Sequence, residues 1–200
     1  MKQSTEQCII DLQQLETPIG TIVVCATDKG ICLLEFADIE GIQKEYDHLS
    51  KEKNAVIVSG ENRHITQLKE ELKKYFEGEL ITFSVALDLI GTAFQQQVWN
   101  GLLHIPYGET KSYKEQSEYL QIPKSIRAVA NANGMNRIAI VIPCHRIIGT
   151  DGSLTGYRGG IWRKKFLLEL EKKERFSSSQ LTLSLYLGQY SKLWFENSYN

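Results

Sequence analysis

Proline is scarce in this 200-residue sequence, with 4 residues, and methionine scarcer, with 2; no apolar run approaches the roughly 20 residues needed to cross a bilayer. No internal repeat is visible. Hydrophobic residues make up 42% and charged residues 24%, which excludes the disordered, collagen-like and coiled-coil extremes. Met1 to Glu6 lead into no apolar stretch with a small-residue cleavage site, so no signal peptide is expected and a cytosolic or nuclear protein is. The four cysteines, Cys8, Cys25, Cys32 and Cys144, include no C-x-x-C pair and are expected to stay reduced in that setting. Net charge is also nearly absent, at -1, which taken alone argues against a nucleic-acid partner.

That sum conceals a polarised chain. Residues 1–90 hold 9 Lys/Arg against 16 Asp/Glu, a net -7, whereas residues 91–200 hold 14 against 8, a net +6. Such asymmetry points either to a nucleic-acid-facing half or to two solvated surfaces that differ. The length allows one large domain or two small ones. The charge changes sign near Ile90-Gly91-Thr92, and the expected organisation is an N-terminal domain over 1–90, a C-terminal domain over 91–175 and a tail over 176–200.

The first domain reads as a β meander followed by helices. Cys8 to Leu15, Thr21 to Cys25 and Ile31 to Phe36 are β-rich runs separated by Thr17-Pro18-Ile19-Gly20 and Asp28-Lys29-Gly30, both turn chemistry. Residues 38–50 are weakly helical. Asn62 caps a helix whose apolar face is Ile65, Leu68, Leu72, Tyr75 and Phe76 and which Gly78 closes, and Ile81 to Leu89 reads as a further strand.

The second domain is mostly helical. Thr92 caps a helix carrying Phe94, Val98, Trp99, Leu102 and Leu103; Ser112 with Glu115 forms a capping box for a short helix to about Leu120. Pro123 stands where a first helical residue belongs and Gly134 where a C-terminal cap does, giving a helix-turn-helix that is either a DNA reader or an ordinary helical hairpin. Arg137 to Ile142 reads as a buried extended run leading into Pro143-Cys144-His145-Arg146. A basic helix over 161–175 can turn Ile161, Phe166, Leu167 and Leu170 inward, and the tail alternates Leu181, Leu183, Leu185 and Leu187 in a pattern that fits an edge strand. A cysteine beside a base and a cation is a candidate nucleophile, because the thiolate is the reactive form. Adjacent residues on a strand point to opposite faces, so the tetrad alone leaves a structural role open.

The order of Phe94-Gln95-Gln96-Gln97-Val98-Trp99, Ile105-Pro106-Tyr107-Gly108-Glu109-Thr110, Ser112-Tyr113, Arg127-Ala128-Val129, Asn133-Gly134-Met135-Asn136, Val141-Ile142-Pro143-Cys144-His145-Arg146 and Gly156-Tyr157-Arg158-Gly159-Gly160 closely resembles the O6-alkylguanine-DNA alkyltransferases. The resemblance covers about residues 16–172. It implies an α+β fold, a small ribonuclease H-like N-terminal sheet with helices followed by a mostly helical domain with the helix-turn-helix. It implies DNA repair by irreversible, single-turnover transfer of an alkyl group from O6-alkylguanine in double-stranded DNA to Cys144, with O4-methylthymine as a further candidate substrate. In this likeness His145 draws off the Cys144 proton through a water, Glu171 orients His145, Tyr113 assists nucleotide rotation and bonds the guanine, and Asn136 is the hinge. Arg127 fills the gap left by the extruded base, Ala128, Ala132 and Arg146 join it at the DNA, and Tyr157, Gly159 and Gly160 form the base pocket.

No cofactor is implied. Some relatives hold a structural zinc near the N-terminus, but Thr27 and Cys32 stand at the places of two of its ligands, so no metal is expected. A monomer without membrane contact is expected, cytoplasmic and at the nucleoid when on DNA, or nuclear in a eukaryote. The competing readings are a helix-turn-helix transcription regulator and a cysteine hydrolase working through Cys144 and His145.

Overall fold

A run of residues apolar on both faces needs cover on both, and β2 (Ile22–Ala26) and β3 (Ile31–Phe36) are buried at every position. In the computed structural model, which describes residues 8–176, they lie in a four-stranded sheet of order β3-β2-β1-β4, with β1 at Cys8–Leu15 and β4 at Ala55–Ser59. β1 and β3 run antiparallel to β2, and β4 returns parallel to β1 after the crossover helix α1 (Ile42–Lys53). Leu49 of α1 covers one face with Ile10, Val23, Cys25 and Leu33; helix α2 (Arg63–Phe76) packs on the other through Ile65, Leu68 and Leu72. Asn62 caps α2 by accepting from the His64 amide, and Gly78 follows at φ +77°.

Cover for the second face continues past residue 90. The core that holds Ile22, Val24 and Leu34 also holds Val98, Trp99, Ile138, Ile142 and Leu167. β3 is tied to this second half by backbone: the Leu34 amide donates to Arg137 O at 2.8 Å and the Ala139 amide to Leu34 O at 2.7 Å.

Three helices open the second half. α3 (Ala93–Leu102) and α4 (Tyr113–Tyr119) begin with the capping boxes Thr92/Gln95 and Ser112/Glu115; α5 is Ile126–Gly134. Gln116 and Asn133 exchange amide hydrogen bonds at 3.2 and 2.6 Å, and Trp99 Nε1 donates to Ala132 O, so α3, α4 and α5 form one unit. The chain then passes through a single 3-10 turn, Cys144–Arg146, into β6 (Ile147–Ile148), which pairs with β5 (Lys111–Ser112), and ends its described part in α6 (Ile161–Phe176).

Several expectations require correction. Ile81 to Leu89 is not a strand: only Leu87 bridges to Ile31, and the Ser84 and Val85 amides donate to the Glu71 carboxylate in place of a ladder partner. β4 lies where no strand was expected. α5 begins at Ile126 and not at Pro123, because Gln121 at φ +61° and the Ser125 amide bonded to Ile122 O make residues 121–125 a turn. Gly134 is the last helical residue and not a left-handed cap. Arg137 to Ile142 is almost wholly buried but folds as a turn, with Ile140 at φ +69°. Ile161 is exposed on α6, while Leu167 and Leu170 are buried as expected. The edge-strand pattern of Leu181 to Leu187 lies outside the described residues.

Candidate active site

The 3-10 turn resolves the difficulty of adjacent reactive residues. At about three residues per turn, Cys144, His145 and Arg146 leave the backbone in three directions, and the Cys144 amide is held by Ile142 O. Cys144 is half-buried; His145 and Arg146 are buried. Asn136 fixes the approach to this turn: its Oδ1 accepts from the Ile138 amide at 3.0 Å, and its Nδ2 donates to Ile142 O at 2.9 Å and to Cys144 Sγ at 3.2 Å. Burial pushes the Cys144 thiol up to about 11, the Asn136 amide and the Lys164 charge pulling the other way, so at neutral pH the sulfur is a thiol that needs a base.

The base lies on the same turn. His145 Nε2 lies 2.8 Å from Glu171 Oε1, and both side chains are fully buried. Burial alone would raise the Glu171 carboxyl, but His145 and Arg146 hold it down to about 2. An ionised Glu171 can only accept, so the imidazole proton sits on Nε2 and the lone pair on Nδ1. Nδ1 is buried and has no hydrogen-bond partner among the described residues. Burial lowers the His145 pKa despite Glu171, which keeps the ring neutral and so free to accept a proton.

Glu171 is the centre of a larger polar cluster. Arg146 donates Nε to Oε2 at 2.9 Å and Nη2 to Oε1 at 3.0 Å, Tyr75 donates its hydroxyl to Oε1 at 2.8 Å, and the Gly108 amide donates to Oε2 at 3.0 Å. Arg146 also donates to Ile105 O. Sequence reasoning assigned Arg146 to the DNA surface; the structure turns it inward, because an ionised Glu171 beside a neutral His145 needs a cation once buried.

Around the thiol, Tyr113 opens α4 with its hydroxyl 3.4 Å from Thr155 O. Tyr157 meets His145 edge to face at 6.5 Å and Phe36 at 6.4 Å. Gly159 lies so close to Phe36 that a Cβ there would fall 2.5 Å from the ring, and Gly160 at φ +92° needs the left-handed region. Arg127 and Ala128 are exposed on α5, whereas Ala132, also expected at the DNA, is 2% exposed and packed under Trp99. The structure thus gathers Cys144, His145, Glu171, Asn136, Tyr113 and Tyr157, and leaves Arg127 and Ala128 exposed on α5.

Tyr75, Lys164 and Arg163 were missed. Lys164 is fully buried; its ammonium donates to Ile147 O and to Thr155 O, and burial lowers it to about 8. The signal was available: Lys164, Leu167 and Glu171 recur at helical spacing, so two charges share a stripe with a core leucine. Arg163 donates to Ile19 O, Gly159 O and Asp38 and lies 4.1 Å over the Phe36 ring. Tyr75 belongs to an ordinary apolar helix face, and no sequence signal set it apart.

A family model described as the 6-O-methylguanine DNA methyltransferase DNA binding domain matches residues 93–173, and one described as the ribonuclease-like domain of that methyltransferase matches residues 13–89. A methylated-DNA–protein-cysteine methyltransferase of Mycobacterium leprae is 41% identical over 173 residues, 86% of this chain and 99% of that one. One of Methanosarcina barkeri is 42% identical over 161 residues, 79% and 94% of the two chains. Among solved structures, Mycobacterium tuberculosis O6-methylguanine methyltransferase superposes with a TM-score of 0.72 at 40% identity over 88% of this chain and 99% of that one. Mycobacterium tuberculosis OGT in complex with DNA gives 0.70 at 41% over 82% and 94%.

Proposed function

This chain belongs to the O6-methylguanine-DNA methyltransferase family, and from that membership we propose how its residues move an alkyl group from O6 of guanine in duplex DNA onto Cys144. The reaction is a direct repair. The target base leaves the duplex, which costs a few kcal/mol and least for a badly paired, alkylated base. Arg127, exposed on α5, fills the gap and can also approach phosphate, and Ala128 beside it permits close approach to the groove. Tyr113, Tyr157, Gly159 and Gly160 receive the base, and the close packing of Gly159 on Phe36 supports that placement.

Nδ1 of His145 takes the thiol proton through one water, Nε2 remains on Glu171, and the resulting imidazolium is stabilised by that carboxylate. Sγ then bonds to the alkyl carbon as the carbon–O6 bond breaks, and the thiol proton ends on the released guanine, so charge and atoms balance. The product is a thioether. It has no acyl carbonyl for water to attack, so the thiol is not regenerated and each molecule acts once.

One observation carries this reading: a neutral histidine on the cysteine's own turn has Nε2 fixed by a buried carboxylate and Nδ1 without a partner among the described residues. Incubation with duplex DNA bearing one O6-methylguanine tests it. Lesion and active protein should disappear one for one, with the peptide carrying Cys144 heavier by one methylene. Turnover past one equivalent, as for a hydrolase, or DNA binding with Cys144 unmodified, as for a regulator, overturns it. Among the described residues no helix is long and apolar enough to cross a membrane; we place the protein in the cytoplasm, at the nucleoid when bound to DNA. We assign the reacting groups to residues 91–175 and their support to residues 1–90.

A further inference from the structure

Glu45 is the only residue of α1 besides Leu49 whose side chain is buried, and it is buried against the second half of the chain. Its Oε2 accepts from Arg137 Nε at 2.6 Å and its Oε1 from Arg158 Nη2 at 2.7 Å. Arg137 further donates Nη1 to Ile90 O at 3.1 Å, and its own carbonyl accepts from the Leu34 amide. Arg137 follows Asn136, whose amide reaches Cys144 Sγ, and Arg158 follows Tyr157, whose ring meets His145. One carboxylate therefore bridges the segments that enter and close the site, from a helix that carries none of the reacting groups.

The second contact of this kind, Asp38 with Arg163, is built differently. Asp38 is 66% exposed, and Arg163 keeps two carbonyl partners and the Phe36 ring without it. The Glu45 contact lies deeper: Arg137 keeps the Ile90 carbonyl without it, but removing the Glu45 charge takes from two guanidinium groups, 11% and 25% exposed, the one carboxylate that joins them.

We propose that Glu45 is a positioning residue that sets the spacing between the Asn136 hinge and the Tyr157 loop, and so governs how fast Cys144 reacts and how large an alkyl group it accepts. The inference rests on the transfer reaction proposed above. Without Glu45 the Arg158 side chain is no longer drawn toward α1, the loop over residues 156–160 opens, and the base is held less closely against the sulfur. A misplacement of about 1 Å in such an arrangement can lower a rate by up to about 100-fold.

The experiment compares wild type, Glu45→Gln, Arg158→Gln and the double variant for the single-turnover rate at saturating duplex DNA, the dissociation constant for that DNA, and the ratio of rates on O6-benzylguanine and O6-methylguanine. Glu45→Gln should react about tenfold more slowly, with DNA affinity within about twofold and the benzyl-to-methyl ratio raised about threefold. Arg158→Gln should act the same way, and the double variant should be no slower than Glu45→Gln, because both remove one link. A merely structural role would lower thermal stability and leave the ratio unmoved; wild-type rate and ratio in Glu45→Gln overturn the proposal. Should Glu45→Gln not fold, wild-type values in Arg158→Gln overturn it equally, since that variant keeps the Glu45–Arg137 pair. Absence of transfer in the wild type overturns the parent reading, whereas wild-type transfer with unaltered variants overturns this one alone.

Discussion

The acidic first half and the basic second half spend their charge on each other before either meets a partner. Glu45 and Asp38 of the first half reach across to Arg137, Arg158 and Arg163, and Arg146 and Lys164 are buried inside the second. Five of the cations that make the second half basic are therefore committed internally. Those that remain exposed on the helix-turn-helix, among them Lys114, Lys124 and Arg127, are fewer than the +6 total suggests, so DNA affinity should be modest and salt-sensitive. The halves also differ in what they bring together: the second carries Cys144, His145, Glu171 and the Asn136 amide that donates to the sulfur, and the first packs against them through Phe36, Glu45 and Tyr75.

If that division holds, variants should fall into two kinds. Cys144→Ala, in the second half, should abolish transfer while leaving DNA affinity as it is, measured by lesion loss and by a binding titration; residual stoichiometric transfer would break the comparison at its centre. Glu171→Gln should slow transfer about 100-fold by freeing the His145 tautomer and lower stability by about 3–5 kcal/mol by leaving Arg146 and its buried neighbours uncompensated. The same residue sets the acid limit. Its carboxyl lies near 2 when folded and 4.5 when unfolded, so its stabilisation is complete above pH 4.5 and is lost as pH falls toward 2, up to about 3 kcal/mol. Denaturant unfolding of Glu171→Gln across that range should lack this contribution, its stability changing with pH by about 3 kcal/mol less than that of the wild type.

Variants of the first half should affect stability more than chemistry. Tyr75→Phe removes the hydroxyl that donates to ionised Glu171; a loss of about 2 kcal/mol in denaturant unfolding is expected, with transfer slowed only a few-fold. A rate loss as large as that of Glu171→Gln would move Tyr75 into the reacting cluster and erase the distinction. Asp38→Asn should have the smallest effect, under about 1 kcal/mol and no change in rate, because an exposed carboxylate contributes little to a cation that has other partners.

How much of this was legible in the sequence depended on the distance over which each feature is decided. Ser112 with Glu115 and Asn62 before its apolar stripe specify helix starts within four residues, and both caps form. β4 was not legible, since Ala55–Ser59 becomes a strand only by pairing with β1 some 47 residues earlier. Ala128 and Ala132 lie on one side of α5 by spacing, yet only Ala132 is covered, because Trp99 of α3 crosses at that end. The ordered motifs pointed to Cys144, His145 and Glu171 as a group, and the structure brings them together. The resemblance set Arg146 at the DNA, and nothing in the local sequence showed that a 3-10 turn would point it inward to Glu171, some 25 residues on.

The backbone pairing of Leu34 with Arg137 and Ala139 joins residues roughly a hundred positions apart. During synthesis β3 therefore emerges with an open edge facing no partner, first met at Ile31 by Ala86 and Asp88 and at Leu34 only after the helix-turn-helix has been made. The turn that delivers Cys144 is anchored at that last pairing. The thiol of a reagent that acts once therefore takes its place only when residues far apart in the sequence have closed on β3.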